Sequence, residues 1–285
     1  MRALAGQGRW IWGVSGLVTA AALAIPGARL ITSPGTDGDN VYAHPQHVVT
    51  RIETVPQPVT SLLVQSYGGH VQVTSGQVNR VQVTETVAYD QGTHPPVLTQ
   101  SVSGGRLSLS DPACSDSGCT VDFDVTVPAD VTVTASTGGG QVAVSGIAGA
   151  NLASSGGPVR ATLIRGPLTV DTGGGSLDVR GLGGPLRAET EGGPLVAQDL
   201  AAAATITTGG GSAMISFATV PENVSVSTEG GPATLAVPGG PYNLTANSDG
   251  GPQSVRIATD PTALPSITVS SGGGSLLVEP AGGAG

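Results

Sequence analysis

Residues 168–179 read Leu168-Thr169-Val170-Asp171-Thr172-Gly173-Gly174-Gly175-Ser176-Leu177-Asp178-Val179, and this stretch decides the fold. Apolar and polar side chains alternate on both sides of a glycine run. Period-two alternation marks a strand with one buried face, and a glycine cluster between two such runs marks a corner. The unit is therefore strand, glycine corner, strand.

The unit recurs. Glycine pairs begin at Gly138, Gly156, Gly173, Gly192, Gly209, Gly230, Gly250 and Gly272, at spacings of 17 to 22 residues. Counted from the first glycine, the third corner position is Gly at 140, 175, 211 and 274 and Pro at 158, 194, 232 and 252. Units this short cannot bury an apolar face alone, so they must stack into a continuous thin core. The expected fold is all-β: a single-stranded β-solenoid, β-helix-like, with one Gly corner per repeat. A sandwich or propeller is the rival, and the regular spacing favours the solenoid. Inward positions are small or branched, among them Val142, Val144, Leu177, Val179, Leu186, Leu195, Ile206, Ile215, Val224, Val226, Leu235, Val237, Ile267 and Val269.

Alternation also precedes the regular repeats, at Leu62–Gln65, Val71–Thr74, Val81–Thr84, Leu107–Ser110 and Val121–Val127. No stretch after residue 32 holds a helical period. The expected organisation is a membrane or signal segment over 1–31, a polar linker over 32–50, and irregular rungs forming a cap over 51–135. Glycine-corner repeats follow over 136–280, with a short disordered tail over 281–285.

Composition agrees. Glycine (45) and proline (21) make up 66 of 285 residues, and charged residues only 11%. Aromatics are 3%, as a narrow core requires. All 11 basic residues are arginine against 20 acids, a net charge of −9, so no basic patch exists to neutralise phosphates and nucleic acid is excluded as a partner.

At the amino end, Arg2 and Arg9 precede an apolar run from Trp10 to Ile25 that resumes from Ala28 to Ile31. A membrane span needs about 20 residues. One reading is an uncleaved transmembrane helix with Trp10 and Trp12 at the interface and the N-terminus in the cytoplasm. The other is a signal segment cleaved after the Ala22-x-Ala24 pattern, releasing a secreted chain. Either way the rest is exported, and the membrane is the first expected partner.

The two cysteines, Cys114 and Cys119, sit in Cys-Ser-Asp-Ser-Gly-Cys, between turn-forming dipeptides. In an exported protein such a pair closes a short disulfide loop. Half a zinc site is the alternative, though no His or second Cys pair lies nearby. The histidines at 44, 47, 70 and 94 lie in linker or turn contexts, without partners at metal-ligand spacing.

The run Val121–Pro128, then Asp130–Val133, then Thr137-Gly138-Gly139-Gly140-Gln141-Val142 and the repeats after it resemble a bacterial domain family of unknown function labelled "putative adhesin". The resemblance covers about residues 50–280. It implies a right-handed single-stranded β-helix or a related solenoid, a single amino-terminal membrane segment in many members, and no catalytic residues. The Cys114–Cys119 pair resembles a feature of some members. Family corners commonly read Gly-Ser-Gly-Asp, where this chain has Gly-Gly-Gly or Gly-Gly-Pro.

Acids precede three corners, at Glu191, Glu229 and Asp249, and Thr137, Ser155, Thr172, Thr208 and Ser271 hold the equivalent place at the others. If rungs stack in register, these form one column of hydroxyls and carboxylates, a candidate ladder for a cation or glycan. Turn bonding by the same side chains is the structural alternative. No calcium-roll motif, nucleophile elbow or phosphate loop is present, so no catalytic residue, metal or cofactor is expected. The expected role is a non-catalytic exported surface protein, an adhesin or scaffold that binds a cell-wall glycan or surface protein by many weak polar contacts. The alternative is an accessory of an envelope-stress or membrane signalling system. A glycan-processing enzyme is the third class, and nothing marks Asp171, Asp178, Arg180 or Arg187 for it beyond ordinary polar strand positions.

Overall fold

Alternation places every second side chain on one face, and these strands have Val, Leu, Ile or Ala there. Two such strands joined by a corner form a coil with its apolar faces turned inward. A computed structural model describes residues 47–90, 96–114 and 118–282. The amino-terminal segment expected at 1–31 and most of the expected linker lie outside the described residues. Among those described, no helix is long and apolar enough to cross a membrane.

The first strands are β1 (His47–Thr54), β2 (Ser61–Ser66), β3 (Val71–Ser75), β4 (Gln82–Tyr89), β5 (Thr99–Ser103), β6 (Arg106–Ser110) and β7 (Cys119–Val127). The regular coils comprise β8 (Thr132–Thr137), β9 (Val142–Ser145), β10 (Gly149–Ser154), β11 (Val159–Ile164), β12 (Leu168–Thr172), β13 (Leu177–Leu182), β14 (Leu186–Thr190), β15 (Leu195–Leu200), β16 (Ala204–Thr208), β17 (Ala213–Phe217), β18 (Asn223–Thr228) and β19 (Ala233–Val237). The last strands are β20 (Asn243–Asn247), β21 (Gln253–Val255), β22 (Ser266–Ser271) and β23 (Leu276–Pro280). β1 begins inside the stretch expected as linker, because His47–Thr54 pairs antiparallel with β4.

Successive strands from β8 to β19 alternate between two sheets, of 12 and 11 strands. Each pairs in parallel with the strand one coil away. The register is constant: Val142, Val159, Leu177, Leu195, Ala213 and Ala233 form one inward column. Ala135, Leu152, Val170, Ala188, Ile206 and Val226 form one in the opposite sheet. Every inward position anticipated from alternation is buried. In the second column the small Ala188 is flanked by branched Val170 and Ile206. This keeps a core of few aromatics filled. Before the second turn of the coil the backbone turns left-handed, at Gly146, Leu163, Gly181 and Asp199, and this recurring kink directs the chain back across the core.

Both ends depart from chain order. β2 and β3 lie inside the stack, against β8 and β9, while β6 and β7 lie outside them. At the other end β22 and β23 slip between the β18–β19 coil and the β20–β21 coil. The chain's last coil is thus held on both sides. Antiparallel β4 and β1 extend the first end, with β5 on the opposite sheet.

Glu85 closes the core there. It shares the inward face of β4 with Val83 and Val87, is almost fully buried, and reaches Arg51 of β1 at 3.4 Å. Burial raises its pKa above the ordinary glutamate value of 4.5; Arg51 opposes the rise and Glu53 adds to it. A raised folded value means that the native state holds the proton more tightly, so this group's stabilisation is complete below about 4.5 and is lost as pH rises through the folded value. Glu85→Gln is therefore expected to be more stable than the parent at neutral pH, with the gap closing as pH falls to about 4. Denaturant unfolding of both chains at several pH values checks this. A gap that is constant or widens toward acid refutes it.

Candidate functional site

The corners between the sheets carry the candidate residues. The structure aligns them on the hydroxyl residue that ends each strand, not on the first glycine. Ser66, Thr137, Ser154, Thr172, Thr190, Thr208, Thr228, Ser271 and Ser248 share one column, and all are buried. Most donate to the carbonyl three residues on, as Thr172 does to Gly175 (2.9 Å), Thr190 to Gly193 (3.0 Å) and Thr208 to Gly211 (2.7 Å). Ser66, Thr137 and Ser154 instead accept from the amides of Gly69, Gly140 and Gly157. A hydroxyl left unpaired in this position would cost about 1–3 kcal/mol.

This corrects the expected ladder. The next slot holds Tyr67, Gly138, Ser155, Gly173, Glu191, Gly209, Glu229, Gly272 and Asp249, one position beyond the hydroxyl column. The hydroxyls of Thr137, Thr172, Thr208 and Ser271 point into the corner and are unavailable to a ligand. The acids point outward, and alternate coils between them carry glycine. Glu191 and Glu229 flank Gly209 and so stand two coils, about 9–10 Å, apart. Asp249 lies in the end coil, at φ 47°, and its carboxylate accepts from the Asn247 amide at 2.9 Å, so there the turn-bonding alternative describes it.

The glycines split the same way. Gly138, Gly173, Gly209 and Gly272 occupy the outward slot just described. Gly156, Gly192, Gly230 and Gly250 fall in the following slot with Gly139, Gly174, Gly210 and Gly273, where an added Cβ would meet nothing. Gly250 (φ 96°) and Gly273 (φ 104°) stand in the left-handed region that favours glycine, and at the others the structure gives no steric reason for it. The third slot is different. A Cβ on Gly140, Gly157, Gly175, Gly193, Gly211 or Gly231 would land on the corner carbonyl of the adjacent coil. Coils approach here more closely than any side chain permits.

Outside the corners, a series of concavities runs along the same edge. One of about 520 Å³ is lined by Tyr67, Ser136, Gly138 and Ser155 among others. The next, about 370 Å³, shares Ser136 and Ser155 and extends to Asp171 and Glu191. A third, about 430 Å³, shares Asp171 and Glu191 and continues through Glu189 and Thr207 to Glu229. Shared linings make them one groove, crossing the coils from Tyr67 to Glu229. These coils are six steps apart in the stack, roughly 29 Å at ~4.8 Å per step. Asp171 and Glu189 are direct neighbours on its floor, where Arg187 pairs with Glu189. Asp178 lies on the other sheet between Arg160 (3.5 Å) and Arg180 (2.9 Å).

At the Tyr67 end the sequence expected a disulfide, and Cys114 and Cys119 form one. Its loop follows Asp111, a carboxylate with 0% exposure. Both oxygens accept from the Tyr67 amide, at 3.0 and 3.3 Å, and Ser66 Oγ lies 3.1 Å from one of them. Burial raises the Asp111 pKa, and the hydrogen bonds from Tyr67 and Ser66 oppose the rise. Sequence reasoning missed both Asp111 and Tyr67, because their pairing spans 44 residues. His70 is exposed, and its Nδ1 accepts from the Gln141 amide at 2.9 Å; His47 stacks on Tyr89. His44 and His94 lie outside the described residues.

No family model matches this chain, and no curated protein does. Solved structures similar to it include three bacterial proteins. A "putative adhesin" from Bacteroides fragilis is 12% identical, with TM-score 0.45 over 82% of this chain and 97% of its own. A "putative lipid binding protein" from Parabacteroides distasonis is 12% identical, with TM-score 0.48 over 82% and 98%. A "putative adhesin" from Parabacteroides merdae is 14% identical, with TM-score 0.47 over 81% and 95%.

The two glycine columns give a direct test. Gly193→Ala is expected to destabilise by about 3 kcal/mol or more, since backbone must move in two coils. Gly192→Ala, one residue away, is expected to stay within about 1 kcal/mol. Urea unfolding followed by circular dichroism distinguishes them, and equal losses would refute the slot assignment.

Proposed function

We propose that this protein is an exported, non-catalytic cell-surface β-solenoid that binds an extended polymer, a cell-wall glycan, along the groove from Tyr67 to Glu229. The single-stranded solenoid reading is supported by the strand order, in which each regular coil gives one strand to each sheet. The observation that carries the function is the continuity of the three concavities. A small ligand needs one enclosed pocket. A shallow groove that continues across seven coils suits a polymer whose weak contacts add by multivalency. Its hydroxyls and carboxylates offer acceptors for sugar hydroxyls. Attachment to the membrane by residues 1–31, or release after cleavage, belongs to the same proposal and rests on the sequence.

One observation favours the accessory reading. Strand β1 is exposed along its whole length, with Val48 and Ile52 on one face, and it is the terminal strand of its sheet among the described residues. Such an edge suits a protein partner that adds a strand.

Co-sedimentation of the full-length chain with insoluble cell-wall polysaccharide tests the proposal. Saturable binding is expected, weakened several-fold by Ser155→Arg, which fills the groove, and by Glu191→Gln with Glu229→Gln, while Asp249→Asn leaves it near the parent value. A chain that never sediments with the polymer, or that is indifferent to Ser155→Arg, sinks the groove reading.

A further inference from the structure

We propose that Tyr67 is a saccharide-stacking platform at the first end of the groove, and that the Cys114–Cys119 disulfide exists to hold it there. The inference rests on the glycan reading above and names the site and chemistry of its strongest contact.

Tyr67 is out of character for its slot. Every other corner places a glycine, serine or acid there. Tyr67 is 56% exposed and is the one aromatic among the exposed large apolar side chains of the described residues. Aromatics are 3% of the residues of this chain. The neighbouring coil carries Gly138 at the same slot, so no side chain covers the ring from that side. The concavity beside it is the largest of the groove, about 520 Å³, and its walls include Gln65, Ser110, Pro112, Ser136 and Ser155. A flat apolar ring bordered by an amide and several hydroxyls matches a pyranose, which presents a C–H face and a rim of hydroxyls.

The anchoring of this ring is unlike that of the other corners. In the regular coils the amide of this slot donates to a backbone carbonyl of the adjacent coil, as Ser155 does to Thr137 and Glu191 to Thr172. At Tyr67 no such carbonyl is available, because the chain leaves the corner path at Asp111. The Asp111 carboxylate takes its place. Asp111 is set by a 3-10 turn, Pro112–Cys114, in which the Cys114 amide donates to the Asp111 carbonyl at 3.0 Å. The disulfide closes the loop onto the start of β7, with Cα atoms 5.3 Å apart. A loop this short removes little entropy from the unfolded chain, so its use is local. It fixes the turn that supplies both the Tyr67 anchor and the Pro112 wall. Pre-ordering one aromatic contact saves ordering cost on binding.

Isothermal titration of the full-length chain in a sugar-free detergent with hexaoses of β-1,4-linked N-acetylglucosamine, β-1,3-linked glucose and α-1,4-linked glucose tests this. At least one is expected to bind saturably. Tyr67→Ala should weaken it about tenfold, the loss of one stacking contact, and Tyr67→Phe by less than about threefold. Cys114→Ser with Cys119→Ser should approach the Tyr67→Ala loss while the β spectrum is kept. Equal affinity of Tyr67→Ala and parent overturns the platform. Unchanged binding in a folded double-serine variant overturns the role of the disulfide. Polymer sedimentation without any hexaose binding also overturns the platform and leaves the groove reading standing. Failure of both assays removes the glycan reading itself.

Discussion

The carbonyl of each corner's third glycine occupies the space that a Cβ of the next coil would need. Most other features follow from that contact. Backbones that nest so closely must follow the same path in every coil, so the strands on either side are locked into one register. Locked register turns side chains into columns: apolar inside, hydroxyl at the corner, polar outside. The hydroxyl column completes the constraint. A corner drawn this far inward buries carbonyls that water cannot reach, and Thr172, Thr190, Thr208 and Thr228 each donate to one.

Much of this was legible in the sequence. Alternation located the strands and the inward residues, because period-two burial is a local property. The columns were misread by one position because the corners were aligned on the first glycine of each pair. Gly-Gly-Gly and Gly-Gly-Pro corners then look equivalent, although Gly173 corresponds to Glu191 and Ser176 to Pro194. A better marker was present. The hydroxyl stands five residues before the first inward residue in nearly every coil, as Thr172 does before Leu177 and Thr190 before Leu195. Inward apolar residues are held by the core, whereas glycine is tolerated at an open slot, so the distance between two buried positions is the safer ruler.

The order of coils at the two ends could not be read. β2 pairs with β8 across a gap of about 70 residues, and β22 with β18 across about 40. A parallel pairing of this kind leaves no trace in either strand's own pattern, since any coil with the right alternation fits any neighbour. What selects the neighbour is the finish at the outer face. Phe123, Glu85 with Arg51, and Asp111 belong to one end and Tyr242 to the other, and each fills or satisfies what a further coil would have covered. Placing the last coil inside the stack also removes a fraying terminus, because β22 and β23 have partners on both edges.

The same constraint that builds the stack separates fold from function within each corner. Of the slots between two strands, the hydroxyl is fixed by a buried bond and the third glycine by the neighbouring carbonyl. The slot after the hydroxyl is open only in alternate coils, at Tyr67, Ser155, Glu191 and Glu229; a Cβ on Gly138, Gly173, Gly209 or Gly272 would run into the carbonyl of one of those residues. At the open positions a side chain emerges on the groove edge, once every two coils. That is where this chain varies, through tyrosine, glycine, serine, glutamate and aspartate, while the buried slots scarcely change. A side chain at one open position therefore requires glycine at the next, and the aromatic stands at the one corner where a buried carboxylate takes the amide and a disulfide closes the following loop.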